Sequence, residues 1–287
     1  MSLVTQIKQP VKSLRWRLRR AQAARRWGRE TLARMPVVIG NAMPKSGSHL
    51  LIQVLLGLVH IGPFVDPGLP PLSRSAGNRN LPDAQVLATL RRLQAGDIAY
   101  SYLHAREPYI SALTRPGVAA FFIYRDPRDV IVSQIFYAMD IHPGHGMHDY
   151  YTEQLDSMEE RINAAIQGVR KPEAPLSPIR AKYEKYMGWL EQSAVLSLRF
   201  EDLVLDRETA LGRILDHLAG SGFQPQPPCR EAIAALVAAI APRTSGTFRR
   251  GQPGEWQEHF TPENKRIFKA AAGDLLSRLG YEKNDTW

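Results

Sequence analysis

The stretch from Val37 to Leu51 constrains this chain most. Val37-Val38-Ile39-Gly40 leads into Asn41-Ala42-Met43-Pro44-Lys45-Ser46-Gly47-Ser48-His49, and an apolar run follows from Leu50 to about Val59. β-Branched residues, then a Gly/Pro/Ser turn, then an amphipathic run predict strand, tight turn and helix. That layout aims backbone N–H groups and a helix N-terminus at one point, which suits an anion. Lys45 stands in the turn, where its ammonium can reach the same anion as a point charge. The turn is therefore expected to hold a phosphate-bearing ligand.

The remaining segments alternate in the same way. Apolar, β-rich runs predict strands at 97–103, 118–124 and 194–200. Helical patterns cover 84–93 with Asp83 as cap, 153–169, 179–191, 207–219, 230–240 and 263–279. The run 118–124 is apolar throughout, as expected of a strand buried at the centre of a parallel sheet. It ends in Arg125-Asp126-Pro127-Arg128-Asp129, where Asp126 makes a good N-cap and Pro127 a good first helical residue. Strands alternating with helices predict an α/β fold with a central, mainly parallel sheet flanked by helices and joined by right-handed crossovers. Residues 62–82, dense in Gly, Pro, Ser and Asn, predict a long loop of the kind that carries function.

Charge is local. Residues 1–30 hold nine Lys or Arg against the single acid Glu30, a net +8 of the chain's +9, so the other 257 residues are nearly neutral. Nucleic-acid binding is not expected of such a body. The basic stretch, with Ile7, Val11, Leu14, Leu18 and Ala21 at helical spacing, predicts an amphipathic arm over residues 1–34, followed by one domain over 35–287. An arm of this kind lies on an anionic membrane surface or folds back on its own domain. No apolar run reaches the ~18 residues that span a bilayer, and the lone Cys229 allows no internal disulfide. Both fit a cytoplasmic protein, with peripheral membrane contact through residues 1–30 as an addition. Cys229 itself reads as structural.

Two motif readings fail on inspection. A nucleotide triphosphatase loop needs Gly-x-x-x-x-Gly-Lys-Ser/Thr, whereas here Pro44 precedes Lys45 and Ile39 occupies the first Gly position. The neighbouring strand ends in Arg125, where such an enzyme uses an Asp to hold magnesium. His142, His145 and His148 are three apart, but Gly and Pro between them deny a fixed face and no fourth ligand is near, so no metal is expected. They read instead as part of a loop near an acceptor.

Three separated pieces, in order, carry more than any one of them: Pro-Lys-Ser-Gly-Ser-His at 44–49, Arg-Asp-Pro-Arg-Asp-Val-Ile-Val-Ser at 125–133, and Phe-Arg-Arg-Gly-x-x-Gly-Glu-Trp at 248–256. With Phe-Glu-Asp at 200–202, they closely resemble the signature segments of the sulfotransferases that use 3′-phosphoadenosine 5′-phosphosulfate (PAPS), over roughly residues 36–282. The resemblance implies a three-layer domain like that of the P-loop NTPases. It implies transfer of a sulfuryl group from PAPS to a hydroxyl of a small molecule, glycan or lipid, without a metal. Residue by residue, it places Lys45, Ser46, Gly47, Ser48 and His49 around the 5′-phosphosulfate. It places Arg125, Ser133, Arg249, Arg250 and Gly251 on the 3′-phosphate, with Phe200 also at the nucleotide. His104 matches the family's general base, and Lys45 would stabilise charge on the departing phosphate oxygen. The aromatic residue that many members stack on adenine is here Leu50, which leaves Phe248 or Trp256 to take that role. The competing readings are a P-loop kinase and a non-catalytic, membrane-peripheral nucleotide-binding module.

Overall fold

Four strands, β1 (Val37–Ala42), β2 (Ile98–Ser101), β3 (Val118–Tyr124) and β4 (Val195–Arg199), form one parallel sheet in the order β2-β1-β3-β4. The computed structural model describes residues 3–75, 79–244, 246, 249–284 and 286–287, with side chains from residue 13 onward except that of Arg243. All six residues of β1 are buried. The period of two divides the central strands between two cores. Val37, Ile39, Ala120 and Phe122 face one; Val38, Ala42, Phe121 and Ile123 face the other.

Helices cover both faces. α1 (Leu3–Trp27) and α2 (Arg29–Ala33) precede the sheet, and α3 (Ser48–Ile61) follows β1. α4 (Asp83–Arg92) leads to β2, and α5 (Tyr109–Thr114) leads to β3. α6 (Pro127–Phe136), α7 (His148–Glu153), α8 (Met158–Gln167) and α9 (Ile179–Met187) join β3 to β4. After β4 come α10 (Phe200–Leu205), α11 (Arg207–Gly220), α12 (Cys229–Ala239), α13 (Pro262–Ala272) and α14 (Leu275–Arg278). Leu55 of α3, Leu211 of α11 and Leu236 of α12 fill one core. Val86 of α4, Ile131 of α6, Ile162 of α8, Tyr183 of α9 and Phe268 of α13 fill the other. The result is the expected α/β fold in three layers. Gly40 lets α3 lie close to β1 just below the turn, because a Cβ there would meet Leu55 Cδ1 at 2.8 Å.

Several boundaries differ from the sequence expectation, each for a local reason. Asp83 does not cap α4; it lies inside the first turn and its carboxylate accepts from Arg106 Nη2 (2.6 Å) and Tyr109 Oη (2.7 Å). The helix expected over 153–169 starts later, as α8 at Met158, because Ser157 and Glu160 close a capping box there; residue 153 instead ends α7. The closing helix breaks at Gly273, whose φ of 56° ends α13. Phe200 begins a helix rather than ending a strand. Cys229 is exposed at the start of α12, so it is not a core residue.

The described part of the expected loop at 62–82 covers the free edge of β2. Ile98 N donates to Val65 O (2.9 Å), Leu72 N to Tyr100 O (2.9 Å), and Tyr102 N to Ser73 Oγ (3.1 Å). These bonds satisfy an edge that would otherwise be open. At the opposite end of the strand, Trp16 and Arg20 of α1 meet the buried carboxylate of Asp97. Among the described residues no helix is long and apolar enough to cross a membrane.

Candidate active site

The turn after β1 is open. Lys45 adopts a φ of 69°, and Gly47, the N-cap of α3, a φ of 85°. A left-handed lysine is uncommon enough to mark a site that the surrounding structure holds in place. No side chain caps α3, so the N–H groups of its first turn are left to a ligand or solvent. A Cβ at Gly47 would lie 2.4 Å from Phe200 Cδ2, so the ring of α10 closes directly over the turn.

β3 ends beside it. Arg125 is buried, and its guanidinium carbon sits 4.5 Å from the centroid of the Phe200 ring. Its Nη2 donates to Gln252 O (2.9 Å) and lies 3.3 Å from Asp129 Oδ2, while its carbonyl accepts from Tyr183 Oη (2.7 Å). Asp126 caps α6 as expected, accepting from Arg128 N at 2.8 Å. Asp129 accepts from Gly254 N (2.8 Å) and Trp256 N (2.9 Å), which fixes the third motif against the second. Arg249 forms a two-toothed pair with Glu255, and Arg250 reaches Glu258 at 2.8 Å.

A single cavity of about 450 Å³ is lined by Lys45, Gly47, Ser48 and His49 from the first segment, by Arg125 and Ser133 from the second, and by Arg249, Arg250 and Gly251 from the third. Phe200 lines it as well. Ser46 lies beneath the turn, fully buried. The sequence-predicted nucleotide residues are thus brought together. Among the described residues, six cations line the cavity against one acid, Glu255, which already pairs with Arg249. Among the described residues, Arg125 Nε is buried with no hydrogen-bond partner at the cavity wall, an arrangement that an anionic ligand would repair. Burial, then repulsion from Arg125 and Arg249, lowers the Lys45 ammonium to about 8. Burial and Lys45 likewise hold the His49 ring below its usual range.

Sequence reasoning missed Arg74, Tyr102, Tyr137 and Pro242, which line the same cavity from a loop, the end of β2 and two short helical turns. Tyr102 Oη lies 2.9 Å from Ser48 Oγ, and Lys45 Nζ stands 3.9 Å from the centroid of the Tyr137 ring. Trp256 does not face the cavity. Its ring is packed under Arg128 at 3.8 Å and edge-on to Phe260 and Trp287. Phe248 lies outside the described residues. The apolar lining that remains among the described residues is Pro44, Leu50, Phe200, Val204 and Pro242.

His104 stands outside this lining, two residues beyond Tyr102. The buried Asn41 fixes its approach: Asn41 Nδ2 donates to Leu103 O (3.0 Å), and Asn41 Oδ1 accepts from Leu103 N (2.7 Å). The imidazole lies edge-on to Tyr186 at 5.0 Å. Burial first, then Lys185, Arg106 and Arg74, hold it below its ordinary range against the opposing charge of Asp83, so it is neutral at pH 7. His142 and His145 flank Tyr137 edge-on, and His148 Nδ1 lies 2.9 Å from Ala138 O. Among the described residues no group of three His, Cys, Asp or Glu is placed to hold a metal.

No family model and no curated protein sequence matches the chain. Solved structures do. Mouse sulfotransferase SULT7A1 complexed with PAP (3′-phosphoadenosine 5′-phosphate) aligns with a TM-score of 0.58 at 17% identity, over 88% of each chain. The fold is the sulfotransferase fold. Retinol dehydratase in complex with androsterone and the inactive cofactor PAP gives 0.57 at 14% identity, over 86% of this chain and 83% of that one. Retinol dehydratase in a complex with retinol and PAP gives 0.53 at 15% identity, over 86% and 84%. The four-stranded parallel sheet with helices on both faces is this sulfotransferase fold, and the cavity sits at the C-terminal ends of its two central strands.

Proposed function

We propose that the chain is a sulfotransferase that moves a sulfuryl group from PAPS to a hydroxyl acceptor. The observation that carries this reading is the convergence of three distant motifs on one cationic cavity, where the lining residue Arg125 keeps a buried Nε without a partner. PAPS supplies an activated sulfuryl group and a 3′-phosphate. Lys45, Gly47, Ser48 and His49 would hold the phosphosulfate end; Arg125, Ser133, Arg249 and Arg250 would hold the 3′-phosphate through guanidinium forks and a helix hydroxyl. Leu50, Phe200, Val204 and Pro242 offer an apolar bed for the base. His104, neutral at pH 7, takes the acceptor proton as the new S–O bond forms, and Lys45 neutralises the departing phosphate oxygen. The acceptor class follows the fold neighbours that hold androsterone or retinol, a hydroxyl-bearing small molecule; glycan and lipid hydroxyls share the same chemistry.

A kinase reading needs a carboxylate for magnesium at the end of β3. Asp126 is spent on Arg128 and Asp129 on Gly254 and Trp256, so neither is offered to a ligand. Calorimetry with PAP tests the proposal. Wild type should bind and Arg125→Ala should lose about a hundredfold or more in affinity, the scale of a buried charged hydrogen-bond donor. No binding by wild type, or equal binding by both, ends the reading. His104→Ala should keep PAP affinity and lose about 10²-fold or more in turnover; unchanged turnover assigns the base elsewhere.

A further inference from the structure

α1 has two unlike faces. On the inner one, Trp16 Nε1 donates to Asp97 Oδ1 (3.0 Å), and Arg20 Nη1 reaches the same oxygen (2.7 Å) and Ala95 O (2.9 Å). Arg19 pairs with Asp66 at 2.7 Å. These contacts pin the helix to the N-terminal end of β2 and set its rotation. On the outer face, Leu14 and Leu18 are 57% and 54% exposed, one turn apart. Ala21 and Arg25 continue the same stripe, also exposed. Exposed Arg15 borders it on one side and exposed Arg17 on the other. Of the three large apolar residues exposed among the described residues, two lie on this stripe. In sequence the same spacing begins at Ile7 and Val11, with Lys8 and Lys12 beside them.

A helix that only faces water has no use for leucines between rows of arginine, and a helix packed for stability would bury them. Nucleic acid would engage the arginines and leave the leucines wet. A surface that is anionic at its headgroups and apolar just below satisfies both. We propose that the outer face of α1 docks in the plane of an anionic lipid bilayer, with Leu14 and Leu18 at the acyl boundary and Arg15, Arg17 and Arg25 at the headgroups. Docking of this kind does not depend on the reaction in the cavity.

The test is sedimentation of the full chain with phosphatidylcholine vesicles and with vesicles carrying about one-third phosphatidylserine. The chain should pellet with the anionic vesicles and stay in solution with the neutral ones. Leu14→Ser/Leu18→Ser and Arg15→Gln/Arg17→Gln should each weaken binding by about tenfold or more. Both variants change only exposed side chains, so their melting should match wild type. Failure to pellet with anionic vesicles, or equal binding to neutral ones, overturns the proposal. So does a leucine double variant that binds like wild type, and if that variant also holds duplex DNA as tightly as wild type does, the arm is a polyanion binder instead.

Discussion

The two strand-to-helix turns at the heart of the molecule share a topology and do opposite things. The turn from β1 into α3 has glycine at its N-cap, two consecutive-but-one residues at positive φ, and a buried hydroxyl without a partner. The turn from β3 into α6 has aspartate at its N-cap and proline next, and its acids are all engaged by N–H groups or arginine. A carboxylate at the N-cap covers the helix N-terminus and repels a second anion; a glycine leaves the N-terminus free. One turn is thus a receptor and the other a joint. The joint matters to the receptor because Asp129 places the third motif, and Arg125 in the same turn completes the cavity wall.

That contrast can be broken from the joint side first. Asp129→Ala removes the acceptor for one buried and one partly buried N–H group and for Arg125, so urea unfolding should show a loss of about 3 kcal/mol or more. PAP affinity should fall with it; a stability change below about 1 kcal/mol would mean the loop is held by something else. A smaller effect is expected on the receptor side. Gly47→Ala puts a side chain at positive φ and against Phe200, which should cost about 1–2 kcal/mol in stability. Its PAP affinity should drop by roughly tenfold or more, and unchanged affinity would show that the turn tolerates reshaping. The mildest test is pH. Lys45 is charged below about 8, and binding a polyanion favours that charged form. PAP affinity should therefore fall as pH rises from 7.5 to 9, by at most about tenfold per unit, since one proton is linked. Lys45→Met should bind more weakly and show no such slope.

What was legible in the sequence was local grammar. The β1 turn, the Asp126-Pro127 helix start and the full extent of β3 follow from neighbouring residues alone, and the structure has them where they were expected. The late start of α8 and the break in the closing helix were also written locally, in the Ser157–Glu160 box and in Gly273, but the longer apolar period masked them. Arg74 and Tyr137 were not legible. They reach the cavity because the 62–75 segment is bonded along β2 and because the helix continues past α6 as a π-helical turn over Tyr137–Ile141 that brings Tyr137 to Lys45. Trp256 shows the reverse case: its place beside a Gly-rich motif suggested a ligand contact, and Arg128 and Trp287 claimed its faces instead. Neighbouring sequence cannot decide a contest settled by residues outside the motif, one of them as remote as Arg128.

The bond from Gly254 N to Asp129 spans 125 positions, and it implies an order of events. A chain emerging from its N-terminus can shape the first turn as soon as β1, β3 and α3 have met. The arginines at 249 and 250 arrive only with the final segment, after every strand of the sheet is in place. In the proposed reading the nucleotide needs both ends gripped, so tight PAP binding is a property of the finished molecule. Ligand protection in hydrogen exchange should then be strongest at 249–256, the last piece to dock, and weaker at the turn that formed first.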